Sequence, residues 1–366
     1  MNFPTSISEI WQRVEKINPE KYSYTRNFED GAVSCLSPYI SRGIINAKDI
    51  LNNLIERGYK SYQFAKFEQE LAWREFWQRI WQKNNNQIYS DFKHTQYPVS
   101  SRETPSFLSN SSSKINAIDR CISSLKQNGY MHNHMRMYLS SLVCNIGRFH
   151  WKASADWMYY FLLDGDVASN YLSWQWVAGT NSNKKYIANQ ANINKYFNDY
   201  QENSILDKSY EEIEQEMNEQ QHQFAEMKVT LETKLPKPSK FKITGKKLRI
   251  YNYYNLDPEW RKNDDSIPIL LLEPSVFKKH PIGENSMNFM LNFNNENIHA
   301  NIFIGEFKDL IKETSPEQVY YKEHPLNDSY KGIEDSRSWM YDDITKYFSF
   351  FNFWKKIKKQ KYGKSK

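Results

Sequence analysis

The sequence predicts a mainly helical domain followed by a small α/β layer with a parallel sheet, and three observations carry that expectation. Residues 1–200 repeat apolar positions at helical spacing and show little β-branched alternation. Apolar runs of strand length appear only beyond residue 246. Between the two, Pro236-Lys-Pro-Ser239 interrupts a Glu/Gln/Lys-rich stretch and marks a linker. The expected boundaries are therefore 1–205 for the helical domain, 206–245 for a charged, helical linker, 246–354 for the α/β domain and 355–366 for a basic tail.

The elements follow in order. Ser37-Pro38 opens a helix running through Ile40, Ile44 and Ile45 towards Ile50 and Leu51. Phe64 to Trp81 forms another, with Phe67, Leu71, Phe76 and Ile80 as its apolar stripe. Asn116 to Leu125, His134 to Phe149 and Ala153 to Leu163 come next, and Leu206 to Leu231 reads as a solvated helix. Strands are expected at Leu248–Tyr254, Ile267–Leu272, Ile298–Ile304 and Val319–Lys322. Helices near Ser286–Asn294 and Glu306–Lys312 lie between some of them, which favours parallel pairing. The layer has no GxGxxG and no GxxxxGK[ST], so nothing in it supports nucleotide binding.

At 366 residues the chain exceeds the usual size of a single core. Aromatic residues make up 16% of it, with 11 Trp, 25 Tyr and 21 Phe, which offers ample stacking surface. The mean hydropathy of −0.81 indicates a soluble protein. No apolar run reaches the ~18 residues of a membrane span, and the N-terminus lacks a charged-then-apolar signal region. Cys35, Cys121 and Cys144 are scattered and odd in number, which indicates neither a disulfide framework nor a metal site. A cytoplasmic monomer is expected. The net charge of +6 arises beyond residue 225, because residues 1–225 hold equal numbers of basic and acidic side chains. The lysines of 355–366 could supply that excess alone, so charge does not by itself argue for nucleic acid.

Two segments are chemically denser than a plain core: Gly129-Tyr-Met-His-Asn-His-Met-Arg-Met137 and Asp164-Gly-Asp-Val-Ala-Ser-Asn-Tyr-Leu-Ser-Trp-Gln-Trp176. Helical spacing places Glu70, Trp73 and Arg74 on one face, and Asn133, Arg136 and Met137 on another. Asp164 and Asp166 offer carboxylates to Arg136 or to ring N–H groups, Asn170 offers an amide, and Trp174 and Trp176 offer large faces. Such a set suits a cavity for a large, flat, polar-edged molecule; an Arg–Asp pair tying two helices together is the plainer alternative.

These motifs, taken in order, resemble the FAD-binding helical domain of the DNA photolyase/cryptochrome family over residues about 15–185. Tyr22, Arg26, Phe28 and Ser34-Cys-Leu-Ser37 match the segment that grips the flavin diphosphate. Glu70 to Phe76 matches the Glu-x-x-Trp-Arg-Glu-Phe helix, Tyr130 to Met137 the Trp-Met-His-Asn-x-x-Arg-Met helix, and Asp164 to Trp176 is intact. The departures are Val33 for threonine, Cys35 for arginine, and Phe67 and Tyr130 for tryptophans. The order of domains also differs, since the family's α/β antenna domain normally comes first. The α/β layer is either a rearranged relative of that domain or unrelated to it, and any second, antenna chromophore stays unidentified.

The resemblance implies light-driven repair of cyclobutane pyrimidine dimers in damaged DNA, a lyase reaction driven by electron transfer from excited reduced FAD. It implies flavin contacts from Tyr22, Ser34, Cys35, Leu36, Ser37, Phe67 and Arg74. The remaining flavin contacts fall on Tyr130, Asn133, Arg136, Asp164, Asp166 and Ser169, with Glu70 near both cofactor and lesion. The hydroxyls of Ser34 and Ser37 at a helix N-terminus suit a diphosphate, although an ordinary helix cap looks the same in sequence. Asn170 faces flavin N5, where an amide rather than an acid is the repair-enzyme choice. Arg26, Glu70 and Asn133 contact the flipped-out lesion, Met137 wedges against it, and Trp73 and Trp176 sandwich it. For Trp73 and Met137, simple core packing is the alternative. The branch that repairs (6-4) photoproducts carries histidines where Asn133 and Met137 stand. Trp174 and Trp151 are the implied inner and middle electron donors; no tryptophan occupies residues 83–118, where the outer one belongs, and either Tyr89, Phe92 or Tyr97 substitutes or the path takes another exit. Two other readings remain open: a cryptochrome-like FAD photosensor without repair, and a flavin-free scaffold.

Overall fold

The computed structural model describes residues 2–219, 224–341 and 349–362. It is mainly helical with a five-stranded parallel sheet in the C-terminal part. The chain divides into two compact units that are not contiguous in sequence. One comprises Glu20–Val33 and Asn84–Leu231; the other comprises Asn2–Pro19, Ser34–Lys83 and Glu232–Lys366.

The first unit is built on the helices Asn116–Asn128, Asn133–Ser141, Trp151–Phe161 and Val167–Ala178. The first of these ends at Gly129 with φ +71°, and a Cβ there would lie 2.6 Å from the Leu163 side chain, so glycine is needed for both conformation and space. The helix expected over His134–Phe149 starts at Asn133 and widens into a π-helical turn over Leu142–Ile146 before Gly147. The long solvated helix expected over Leu206–Leu231 is shorter: it spans Tyr210–Glu219, and Glu226–Met227 instead pairs antiparallel with Thr104–Pro105. Glutamate and glutamine favour a helix, but the backbone of Thr104–Pro105 offers ladder partners that local propensity cannot register. Residues 220–223 of that stretch lie outside the described residues.

In the second unit, the helix expected from Ser37 to Leu51 is two helices, Ser37–Ser41 and Ala47–Glu56. Gly43 at φ +67° turns the chain between them, and Asn46 caps the second by accepting the Asp49 N–H. Ser61–Asn84 contains the helix expected at Phe64–Trp81. The sheet comprises β1 (Lys247–Tyr251), β2 (Ile267–Leu272), β3 (Asn301–Ile304), β4 (Gln318–Lys322) and β5 (Ile333–Asp335). All pairs are parallel, in the order β3-β2-β1-β4-β5. Leu248, Ile250, Ile269, Leu271, Phe303, Val319 and Tyr321 form one buried face, packed against Phe307 and Leu310 of the Phe307–Thr314 helix. The strand expected at Ile298 begins three residues later, after a π-helical turn at Asn294–Ile298. Residues 355–362, expected as part of a basic tail, continue a helix that starts at Phe350; residues 363–366 lie outside the described residues.

Strand order reverses between β1 and β4, which in an open parallel sheet marks the ligand-binding crevice at the carboxyl ends. Here that crevice is filled by the unit's own side chains. The Arg42 guanidinium lies 3.5 Å from the centroid of the Tyr253 ring and donates to the Tyr253 carbonyl at 2.9 Å. Tyr254 stacks on His324 at 4.3 Å, and Trp81 meets the same imidazole edge-on at 4.9 Å. Burial and the nearby Arg337 and Arg42 cations hold His324 neutral, well below its usual range.

Candidate functional site

The chemically dense segments fold together in the first unit. Asp166 caps the Val167–Ala178 helix, accepting the Ser169 N–H at 2.7 Å, so the second acid of the Asp-Gly-Asp run is fixed by local helix chemistry. Arg136 sends Nη2 to both carboxylate oxygens of Asp164, at 3.1 and 3.0 Å, while its Nε donates to the Met131 carbonyl at 2.8 Å. The Asp164 side chain is 4% exposed and that of Arg136 20%, so the pair is shielded but open on the arginine side. Asn170 is buried and spends its amide N–H on the Ala155 carbonyl at 2.8 Å, which orients its Oδ1 end away from that bond.

Two buried polar atoms here have no hydrogen-bond partner among the described residues: Ser169 Oγ and Trp174 Nε1. Buried polar groups are normally satisfied, so such a cluster calls for an explanation. His132 caps the Asn133–Ser141 helix through its Nδ1, and burial, with help from His134 and Arg136, lowers its pKa to about 4. Asn133 is exposed, and Tyr130 and Met137 are partly buried. The Arg136 guanidinium lies 5.9 Å from the Tyr130 ring centroid. Trp176 leans on Tyr186 at 5.8 Å. Tyr22, Arg26 and Phe28 are partly buried in the same unit; Arg26 donates to the Ser23 carbonyl, and Phe28 packs edge-on to Tyr196.

Trp151 is fully buried and donates its indole N–H to Asp91 Oδ1 at 2.8 Å. The same oxygen meets His150 Nε2 at 3.0 Å, and Asp91 Oδ2 accepts the Gln96 N–H. Tyr171 packs edge-on to Trp151 at 5.5 Å, and Tyr89 to Tyr171 at 6.0 Å. Of the three substitutes for an outer tryptophan, only Tyr89 is placed in this stack by a ring contact; Tyr97 is 81% exposed, and Phe92 is engaged through its backbone N–H with Gln175. Sequence reasoning passed over Asp91, Asp156 and Tyr171. Tyr171 lies inside the quoted motif, and Lys152–Asp156 shows the i, i+4 spacing of an ion pair, but nothing in sequence ties Asp91 to Trp151.

The other expected residues belong to the second unit. Cys35 adopts φ +52°, unusual for a residue with a side chain, and its carbonyl accepts from Arg13 Nη1. Leu36, not a serine, occupies the cap position of the Ser37–Ser41 helix, and no side chain caps that end; Ser37 lies in its first turn. Ser34 is partly buried and Phe67 is buried. Glu70 pairs with Lys66 Nζ at 2.8 Å, and Arg74 is partly buried on the same helix. One face of Trp73 is covered: Phe350 stacks on it with centroids 3.6 Å apart and planes 15° apart. Phe353 and Trp354 join Phe76 in the same cluster.

Residues 67–245 match the family described as the FAD binding domain of DNA photolyase. That segment belongs to the photolyase/cryptochrome family. The deoxyribodipyrimidine photo-lyase of Streptomyces griseus is 29% identical over 168 residues, 43% of this chain and 36% of that protein. The corresponding protein of Halobacterium salinarum is 28% identical over 172 residues, 44% of this chain and 35% of its own length. A cryptochrome DASH from Synechocystis is 26% identical over 190 residues, 48% of this chain and 36% of that protein. The chain thus spans little more than a third of the length of these relatives. Among solved structures, the Synechocystis sp. PCC6803 cryptochrome superposes with a TM-score of 0.48 at 21% identity, over 54% of this chain and 44% of that one. No helix among the described residues is long and apolar enough to cross a membrane.

Proposed function

We propose that this protein binds FAD and splits cyclobutane pyrimidine dimers in DNA in a light-driven reaction. The observation that carries the reading is the shielded Arg136–Asp164 pair beside Asp166 and Asn170, with Ser169 Oγ and Trp174 Nε1 left without partners among the described residues. These donors and acceptors fit a ring system with polar edges better than they fit a closed core. FAD, when bound, supplies light absorption and one-electron transfer. Arg136 neutralises Asp164, so the charge of the site is set before any ligand arrives. Asp166 and Ser169 hold a ring edge, and Asn170, with one N–H on the Ala155 carbonyl, has its carbonyl oxygen and second N–H for the ring. Tyr22 and Tyr130, in the same unit, line the cofactor. Asn133 and Arg26 bind the extruded lesion, whose apolar faces are met by Met137 and Trp176.

A second reading, a flavin photosensor without repair, is favoured by one observation. Phe350 stacks on the Trp73 ring that repair would offer to a lesion. The deciding experiment is repair of a thymine-dimer oligonucleotide by dithionite-reduced protein, lit against dark, with bound flavin quantified in wild type and Phe350→Ala. Light-dependent loss of dimers is the expected result. Stoichiometric FAD with no repair in either protein selects the photosensor, and wild-type protein that retains no flavin overturns both.

A further inference from the structure

We propose that Tyr171, hydrogen-bonded to Asp156, is the electron donor that refills Trp151 when the flavin is photoreduced, taking the place of an outer tryptophan. This rests on the reading that the protein binds FAD. Residues 83–118 contain no tryptophan, so an electron deficit that reaches Trp151 needs another donor or must stay there. Tyr171 is the oxidisable ring packed against Trp151, 5.5 Å away centroid to centroid.

The surroundings of Tyr171 are built for loss of an electron and a proton together. Its hydroxyl donates to Asp156 Oδ1. Lys152 Nζ holds both oxygens of Asp156, at 2.7 and 2.6 Å, and donates to the Tyr171 oxygen at 3.2 Å. The same ammonium lies 4.6 Å from the centroid of the Tyr171 ring. A radical cation of the phenol is a strong acid, and Asp156 stands in hydrogen-bond reach of its proton, so loss of the electron draws the proton with it. Burial, reinforced by the Asp156 carboxylate, holds the phenol far above its usual range, so the proton does not leave first. Concerted departure is the path left open, with the carboxylate already in place to accept.

FAD, when bound and illuminated, would supply the one-electron oxidant; the electron would come from Trp174, and the deficit would pass on to Trp151, whose N–H stays bonded to Asp91. Tyr171 gives one electron to Trp151 and its O–H proton to Asp156. Trp151 is restored, leaving a neutral Tyr171 radical and a protonated Asp156. An external thiolate then returns the electron and Asp156 returns the proton, which regenerates the phenol. The competing outcome is a deficit that rests on Trp151, stabilised by Asp91.

Flash illumination of the FAD-loaded full chain, read by electron paramagnetic resonance and time-resolved absorption, separates the two. In wild type, a tyrosyl signal that narrows on ring-deuteration of tyrosine and forms more slowly in D2O is expected. Tyr171→Phe abolishes that signal and lengthens the life of the tryptophan radical. Asp156→Asn keeps the ring but removes the proton acceptor, so the tyrosyl signal falls while the tryptophan radical persists. Tyr97→Phe, at an exposed ring outside the stack, leaves the signal unchanged. Flavin-loaded wild type whose long-lived radical sits on tryptophan overturns this proposal alone, as does a tyrosyl signal that survives Tyr171→Phe. Wild type that retains no flavin overturns the FAD reading and this proposal with it.

Discussion

At the carboxyl ends of β1 and β4, rings and a cation pack on one another: Arg42 over Tyr253, Tyr254 over His324, Trp81 against the same imidazole. In the segment from Asp164 to Trp176, a shielded ion pair and a buried amide instead share their surroundings with polar atoms that no protein group satisfies. Both places are where ligands are expected, one by sheet topology and one by motif. His324 also keeps a ring nitrogen without a hydrogen-bond partner, but its imidazole is sandwiched between rings and held neutral. A fold class therefore nominates a location, and what already fills the location decides its use.

Arg42→Met tests the filled crevice and has the largest expected effect on stability. It removes a fully buried cation from a ring contact and leaves a buried carbonyl without its donor, at a cost of about 2–4 kcal/mol in chemical denaturation. Bound flavin per folded molecule is expected to stay the same; a loss of flavin instead would erase the distinction between the two places. Asp166→Ala tests the other side. Losing a charge-assisted hydrogen bond is expected to weaken flavin retention by about 1.5–3 kcal/mol, tenfold or more, against a capping loss of only ~1 kcal/mol in stability. Flavin content after gel filtration, alongside the unfolding midpoint, reads the two effects separately.

The smallest effect concerns His132. Burial drops its pKa to about 4, whereas the unfolded chain binds that proton near 6.5, so the unfolded state holds more protons between those values. The stabilisation is complete above pH 6.5 and is lost as the pH falls towards 4, amounting to about 2 kcal/mol at pH 5. His132→Gln is expected to flatten that part of the stability profile without abolishing its slope, because burial shifts His134 and His150 in the same direction. An unchanged slope would mean that burial of His132 does not lower its pKa as it does here.

Much of this architecture was written in local pattern. The Ile267–Leu272 strand and the helix within Ser61–Asn84 follow from runs and spacings a few residues long, where neighbours along the chain are neighbours in space. The Arg136–Asp164 pair was legible because a shielded cation needs a carboxylate and the motif offers one nearby. Only the tertiary structure turned the chain at Gly43, took Glu226–Met227 out of a helix and into a strand pair, and laid Phe350 on Trp73. It also brought Asp91 to the indole of Trp151 across sixty positions of sequence. Backbone propensity and helical periodicity act over one or two turns, whereas these contacts are chosen by which surfaces and polar groups the whole chain must bury or satisfy together.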